Sequence, residues 1–288
     1  MTASQPRPRS SALGVFDSGL GGLTVVRALR GLLPREHIVY LGDTARVPYG
    51  TRSPETVLRY ARGCAKLLIQ RDIKALVIAC NTVSAVAVEM LRAELDLPVI
   101  GVVEPGASAA VSQAERVGGA VRIGVLGTAG TVASGAYPRA VGRISTRFEV
   151  VAQPAPLLVP LVEEGWLEGD VPRLAIQRYV EPLIEAEVGV IVLGCTHYPL
   201  LKPLIERVAA ELAGRPVPVV DSAEATARVV QELLEERELG TLPSGQGDTA
   251  NGQLEVLVSD LPKSFAGVAE GFLGHAIEHV AQVDVVVG

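Results

Sequence analysis

The 288-residue sequence is poor in aromatic residues and in positive charge. Phe, Trp and Tyr make up only 4% of it, so Val, Leu, Ala and Ile must build the core. Such a core is typical of parallel α/β sheets and not of aromatic-rich sandwiches. The net charge is −6 and no cluster of Lys and Arg occurs, which argues against a nucleic-acid partner.

Long hydrophobic runs are also missing. No apolar run approaches the roughly 18 residues of a membrane span, and the first residues do not resemble the hydrophobic region of a signal peptide. The sequence contains three cysteines, an odd number that without an export signal indicates reduced thiols. We therefore expect a cytoplasmic protein with free thiols and no membrane partner.

Two apolar, β-branched segments that each deliver a cysteine are the most informative feature of the sequence. Residues 75–79 and residues 190–194 have the composition of strands buried on both faces of a parallel sheet. Each cysteine is followed by two polar residues, namely Asn81 and Thr82 after Cys80, and Thr196 and His197 after Cys195.

The order of strands and helices around these segments occurs twice. Cys80 follows Asp17 by nearly the same number of residues as Cys195 follows Thr128, and the cysteine strand is third in each copy. A repeat of about 100 residues predicts two similar domains, because the units of a solenoid are shorter. The fold class expected is therefore α/β, with two pseudo-symmetric domains, each a mainly parallel sheet flanked by helices.

Several chemically useful residues fall where predicted strands end. In open α/β sheets, ligands bind beyond the carboxyl ends of the strands. If the two domains face each other, both thiols come to one cleft, which predicts an active site between the domains. The residues at these strand ends are Asp17, Asp43, Cys80, Thr128 and Cys195.

Two facing thiols are compatible with several kinds of site. A metal site is disfavoured because neither cysteine has a second ligand at the usual spacing. A redox pair is also disfavoured, because no Cys-x-x-Cys turn occurs. A hydrolase would need one cysteine with a histidine and would leave the other unexplained. His275-Ala-Ile-Glu-His279 matches an inverted zinc-peptidase pattern. It lies in a helix predicted from residue 265 to about 280, and we interpret it as a solvated helix end.

Proton transfer at both faces of one carbon uses both thiols. Inverting a stereocentre requires one group that removes a proton and an opposed group that delivers one. Cysteine, with an ordinary pKa near 8.5, suits this task, and a position just before a helix N-terminus should favour the thiolate. Asp17 and His197 are placed to assist the thiols, and the polar residues beside the cysteines can donate to a carboxylate.

Five motifs in order resemble the glutamate racemase family. They are Gly14-Val-Phe-Asp-Ser-Gly-Leu-Gly-Gly22, Gly42-Asp-Thr-Ala-Arg-Val-Pro-Tyr-Gly50, Ala79-Cys-Asn-Thr82, Leu161-Val-Glu163 and Leu193-Gly-Cys-Thr-His-Tyr-Pro199. The resemblance implies cofactor-independent interconversion of L- and D-glutamate for bacterial peptidoglycan, usually by a homodimer. It also implies that the C-terminal segment returns to the first domain. The domains expected are residues 1–105 with 221–288, and residues 106–220.

The resemblance also implies roles for particular residues. Cys80 would act on the D-enantiomer with help from Asp17, and Cys195 on the L-enantiomer with help from His197. Asp43 and Glu163 match further acidic positions near the site. The residues implied as substrate contacts are Asp17, Ser18, Tyr49, Gly50, Asn81, Thr82, Thr128, Thr131, Thr196 and His197. No metal and no cofactor are expected.

Other functions remain open from the sequence. The thiol pair is shared by related racemases, so another acidic amino acid such as aspartate is an alternative substrate. A carboxylate-binding module without turnover is a second alternative, although such a module has no need of both thiols. A zinc peptidase is the weakest of the alternative functions.

Overall fold

The computed structural model describes residues 8–119, 122–242, 251–262 and 265–287. Most of the loop predicted over residues 240–252 lies outside these ranges. The strands are β1 (Ala12–Asp17), β2 (Ile38–Gly42), β3 (Ile73–Ile78), β4 (Val99–Gly101), β5 (Arg122–Gly127), β6 (Glu149–Pro154), β7 (Val190–Gly194), β8 (Val219–Asp221), β9 (Leu254–Val258) and β10 (Val280–Gln282).

Helices connect most of the strands. They are α1 (Leu23–Leu32), α2 (Pro54–Ile69), α3 (Asn81–Glu94), α4 (Val103–Val117), α5 (Ala129–Ala133), α6 (Ala136–Ile144), α7 (Leu158–Glu163), α8 (Asp170–Glu185), α9 (Lys202–Ala213), α10 (Ser222–Glu236) and α11 (Phe265–Leu273). Short 3₁₀ turns cover Thr44–Arg46, Tyr49–Thr51 and Tyr198–Leu201. No helix within the described ranges is long and apolar enough to cross a membrane.

The strands form two sheets whose described pairings are all parallel. The first sheet has the order β10-β9-β2-β1-β3-β4, and the second has the order β6-β5-β7-β8. The segments β2-β1-β3-β4 and β6-β5-β7-β8 share one neighbour order, in which the two cysteine strands, β3 and β7, occupy equivalent places. The predicted α/β class with two similar parallel sheets is confirmed.

The C-terminal strands join the first sheet. β9 pairs along the whole of β2, with Leu41 opposite Leu257, and β10 pairs with β9. The chain therefore leaves the first sheet after β4, builds the second sheet and then returns. The domain boundaries given above stay a prediction, and this return is the observation that supports them.

Alternating side chains place a core on each face of the first sheet. Val15 packs in the core shared with α1 and α10, whereas its neighbour Phe16 packs in the core shared with α2 and α3. Successive side chains of a strand point to opposite faces, so both faces must be covered by helices. All six residues of β3 are buried, as the unbroken apolar run predicts.

Two predicted elements differ from the structure. The apolar residues 98–103 predict a fourth strand that ends at Glu104 and Pro105, but β4 covers only Val99–Gly101, and Glu104 and Pro105 lie in the first turn of α4. Proline is tolerated there because the first backbone amides of a helix need no helical acceptor. The last helix ends at Leu273, not near residue 280, because Gly274 adopts a left-handed φ of 88°. His275 and His279 therefore do not share a helix face.

A buried ion pair joins β3 to the residues before β2 and contacts the segment after α10. Lys74 Nζ lies 2.5 Å from Glu36 Oε2, and both side chains are almost completely buried. Nζ also donates to the carbonyl of Leu239 at 2.9 Å, and Glu36 accepts from the amide of Thr241 at 2.7 Å. This cluster ties the segment after α10 to the first sheet.

We expect Lys74→Met to lower the free energy of unfolding by about 3–5 kcal/mol, because it leaves the Glu36 carboxylate buried without its cation. Denaturant unfolding measures this loss. The double variant Lys74→Met with Glu36→Gln is the control, since it removes both charges and should recover part of the loss. A loss below about 1 kcal/mol in the single variant would show that the pair is not important for stability.

Candidate active site

A cavity lies where the carboxyl ends of the two sheets meet. It is small and partly open to solvent. Its lining residues are Ser18, Gly19, Val47, Pro48, Tyr49, Gly50, Cys80, Asn81, Thr82, Thr128, Val159, Glu163, Cys195, Thr196 and His197. A larger cleft beside β4 is lined by neither Cys80 nor Cys195.

Strand register brings the two cysteines to this cavity. β5 and β7 remain paired to their last residues, Gly127 and Gly194, and Cys195 follows directly. Cys80 comes two positions after the end of β3, which is paired with β1. Since parallel strands end at one edge of a sheet, each sheet delivers one thiol at its carboxyl edge.

Cys80 is the N-cap residue of α3. Its Sγ lies 3.4 Å from Ser18 Oγ. Burial, followed by the charge of Asp17, raises the pKa of Cys80 to about 12, although hydrogen bonds from Ser18 and the Val83 amide oppose the shift. Cys80 is therefore a protonated thiol at neutral pH. The Val83 amide at the helix N-terminus does favour the thiolate, as expected, but burial raises the pKa by more than this hydrogen bond lowers it.

Cys195 is presented differently. The chain bends after β7 and enters the turn Tyr198–Leu201, so α9 begins only at Lys202. The expectation of a helix N-terminus directly after this cysteine is therefore wrong. Its partner is a side chain, because Sγ lies 3.9 Å from Nδ1 of His197.

His197 connects Cys195 to Glu163. Its Nε2 lies 3.1 Å from Glu163 Oε1 on α7. Burial disfavours the imidazolium, but hydrogen bonds to Cys195 and Glu163 and the charges of Cys195 and Asp17 outweigh it. Together they raise the pKa of His197 to about 10. At neutral pH a cation thus stands beside the Cys195 sulfur.

Asp17 and Asp43 lie behind the lining of the cavity. Asp17 is fully buried, and its Oδ2 accepts the amide hydrogen of Gly19 at 3.0 Å. Burial raises the pKa of Asp17, against the opposing charge of His197 and backbone hydrogen bonds. The Asp43 carboxylate accepts hydrogen bonds from Arg46 at 2.6 Å, from Ser259 at 2.7 Å and from the Tyr49 hydroxyl. It therefore holds the loop that brings Tyr49 and Gly50 to the cavity.

Three threonines join the two sheets at the cavity. Thr82 Oγ1 at the start of α3 lies 2.9 Å from Thr128 Oγ1, which follows β5. Thr131 bonds to Thr128 at 3.0 Å and is itself buried behind the lining. Thr128 and Thr82 can face a ligand, whereas Thr131 supports them.

The lining donates hydrogen bonds mainly from uncharged groups, and His197 is its cation. No Lys or Arg is among the described residues that surround the cavity. Donors come from hydroxyl groups, from Asn81 and from backbone amides at the start of α3, and such groups bind carboxylates. Gly19 and the apolar residues Val47, Pro48 and Val159 also line the cavity, although they were not predicted as site residues. The first three lie within the quoted motifs, but an apolar residue at a cavity has the same sequence pattern as one in the core.

Gly21 lies just before α1 and packs against Thr196 and His197, which follow β7. A Cβ at Gly21 would lie 2.5 Å from His197 Nδ1. We expect Gly21→Ala to displace the imidazole and to lower kcat/KM by about 10²-fold, measured by steady-state kinetics. Gly31→Ala in α1 is the matched control. Its Cβ would meet nothing within 4 Å, and alanine is more favourable than glycine within a helix. Equal kinetics in the two variants would show that the imidazole position is not critical.

Comparisons with known proteins identify the family of the chain. The Asp/Glu/Hydantoin racemase family matches residues 23–230. The chain belongs to this family. It is 50% identical over 274 residues to a glutamate racemase of Geobacter metallireducens, covering 94% of this chain and 96% of that one. The prediction of an amino-acid racemase, an isomerase, is confirmed.

Solved structures of the racemase family share the whole fold. The glutamate racemase of Francisella tularensis, solved in complex with D-glutamate, has a TM-score of 0.85 at 34% identity, covering 96% of this chain and 98% of that one. The glutamate racemase of Thermus thermophilus, in complex with β-chloro-D-alanine, has a TM-score of 0.83 at 41% identity, covering 97% and 99%. The racemase fold thus extends over nearly the entire chain.

Proposed function

We propose that this racemase interconverts L- and D-glutamate without a cofactor, using Cys80 and Cys195 as opposed acid and base. The observation that carries the proposal is the presence of both thiols, one from each sheet, in the lining of one cavity. The relatives of Geobacter metallireducens and Francisella tularensis, both glutamate racemases, support glutamate as the substrate.

The surroundings of the two thiols differ. Cys80, with its pKa raised to about 12 mainly by burial, holds a proton at neutral pH. Cys195 Sγ lies 3.9 Å from Nδ1 of His197, whose pKa is raised to about 10. In the proposal Cys195 removes a proton from L-glutamate and Cys80 delivers one to the opposite face.

Each bond change can be assigned to a named atom. Cys195 Sγ takes the α-proton of L-glutamate, leaving a carbanion, and the Cys80 thiol protonates the opposite face to give D-glutamate. The products are a Cys195 thiol and a Cys80 thiolate, which is the state that acts on D-glutamate. Before another L-glutamate can react, a proton must leave Cys195 and one must return to Cys80.

Neighbouring groups assist these steps by charge and orientation. His197, held by Glu163, stabilises negative charge on Cys195. Asp17 opposes negative charge on Cys80 and so favours the thiol as proton donor. Asp43 acts through Tyr49, whose loop it holds, and is a positioning residue in this scheme.

In the proposal the substrate is bound by hydroxyl, amide and backbone donors together with the protonated His197. The residues that would contact it are Ser18, Tyr49, Gly50, Asn81, Thr82, Thr128, Thr196 and His197, all of which line the cavity. The cellular role proposed is to supply D-glutamate for peptidoglycan from the cytoplasm, with a homodimer as the active form.

A chiral assay with purified, chelator-treated protein and no added cofactor tests the substrate. Formation of D-glutamate from L-glutamate is expected. Formation of D-aspartate from L-aspartate at a higher kcat/KM would keep the mechanism and replace the substrate. Binding of glutamate without turnover would instead support a carboxylate-binding module.

A further inference from the structure

Tyr137 on α6 is a buried residue that reaches toward the cavity without lining it. Its hydroxyl donates a hydrogen bond of 2.8 Å to Oδ1 of Asn81 at the start of α3. The bond joins a helix beside the second sheet to the residue that directly follows Cys80. Nothing in the motif pattern marks Tyr137, because it lies outside all five motifs.

The side-chain amide of Asn81 uses its oxygen in a hydrogen bond, whereas its nitrogen has no acceptor among the described residues. The residue is 2% exposed and lines the cavity, and its Nδ2 has no hydrogen-bond partner among the described residues. A buried amide N–H without an acceptor costs free energy, commonly about 1–3 kcal/mol. A carboxylate bound in the cavity would supply the missing acceptor.

The Tyr137 hydroxyl is the donor in the hydrogen bond to Asn81. Burial raises the pKa of Tyr137, so the phenol keeps its proton, and Ser222 at the start of α10 is a hydrogen-bond neighbour of the same hydroxyl. A phenol has only one proton, and here it is donated to Oδ1 of Asn81. Oδ1 is thereby held toward Tyr137, and Nδ2 is left for the cavity.

Tight packing holds the Tyr137 ring in place. A Cβ at Gly106 on α4 would lie 3.2 Å from its hydroxyl oxygen, and a Cβ at Gly194 would lie 3.2 Å from its Cε2. Gly194 is the last residue of β7, immediately before Cys195. The ring is therefore wedged between α4 and the strand that presents the second thiol.

We propose that Tyr137 is a positioning residue, which orients the Asn81 amide so that Nδ2 donates to a carboxylate of the substrate. The inference rests on the proposed function, because it assumes that a dicarboxylic amino acid occupies this cavity. Without the tyrosine hydroxyl, the amide can rotate and present Oδ1, an acceptor that repels a carboxylate.

A double-mutant cycle tests this role. Tyr137→Phe keeps the ring and removes the hydroxyl, and we expect it to weaken binding of racemic glutamate about five- to tenfold in calorimetric titration. KM should rise by a similar factor and kcat should change less. In an Asn81→Ala background the same substitution should have almost no effect, because the tyrosine acts through that amide. A purely structural role would give the same loss in both backgrounds.

Two further variants keep the test decisive. Tyr198→Phe also removes a buried hydroxyl, but one bonded to the carbonyls of Gly127 and Ala155, and it should lower stability while leaving glutamate affinity near that of the wild type. Should Tyr137→Phe not fold, Ser222→Ala removes the other hydrogen-bond neighbour of the Tyr137 hydroxyl and so loosens its position. A smaller loss of affinity, about two- to threefold, is then expected.

Failure of this inference is distinguishable from failure of the proposed function. If the wild type racemises glutamate but Tyr137→Phe and Ser222→Ala bind it normally, or if the losses persist in Asn81→Ala, the positioning role is wrong. If the wild type neither binds nor racemises glutamate, the proposed function fails, and the positioning role fails with it.

Discussion

Replacing Cys195 by alanine is expected to lower racemisation by at least about 10³-fold, and Cys80→Ala should have an effect of the same size. Each thiol is the group that serves one face of the α-carbon, so neither can compensate for the other. Polarimetry starting from each pure enantiomer measures the loss. The two variants should differ in hydrogen exchange. Cys80→Ala should still exchange the α-proton of L-glutamate with solvent, and Cys195→Ala that of D-glutamate.

The third cysteine provides the matched control for this experiment. Cys64 is completely buried in α2, packs against the first sheet and does not itself line the cavity. Cys64→Ala should reduce stability but leave turnover close to that of the wild type. Normal turnover in either Cys80→Ala or Cys195→Ala would contradict the assignment of one thiol to each face.

The second large effect is expected at His197. His197→Asn keeps a polar side chain but removes the cation beside Cys195, and we expect kcat/KM to fall by about 10²-fold or more. Because the equilibrium constant between enantiomers is one, kcat/KM must fall equally in both directions. Initial rates from each enantiomer check this equality.

The pH dependence gives His197 a separate signature. Its pKa is raised from 6.5 in the unfolded chain to about 10 in the folded protein, so the imidazolium is intact below that value and is lost as pH rises through it. Its contribution to stability is fully present below 6.5 and disappears through about 10. We expect kcat/KM to fall on an alkaline limb near 10, and this limb to be absent in His197→Asn. An unchanged limb in the variant would assign it to another group.

Much of the fold follows from simple sequence patterns. Buried strands such as β3 and β7 are visible as unbroken apolar runs, and the repeated order of elements predicts two matching sheets. Predictions failed where local sequence does not determine the backbone. The end of α11 depends on the left-handed conformation of Gly274, and Pro105 is compatible with either a loop or a first helical turn.

For the site, too, sequence patterns predict which residues come together, whereas their protonation and contacts depend on the folded surroundings. Strand ends and motifs predicted which polar residues come together around Cys80 and Cys195. They did not predict the protonation of Cys80, because its pKa is set more by burial and by Asp17 than by the helix that follows it. Tyr137 could not be found from sequence either, since its role depends on contact with Asn81, 56 positions away.

Racemisation of L-glutamate in D₂O, followed by proton NMR and chiral separation at early times, tests the two-base account most directly. The account predicts that D-glutamate formed in the first turnovers carries deuterium at the α-carbon, while the remaining L-glutamate keeps its proton. D-glutamate that retains the original proton, or equal early deuteration of both enantiomers, would mean that one group serves both faces and would contradict it.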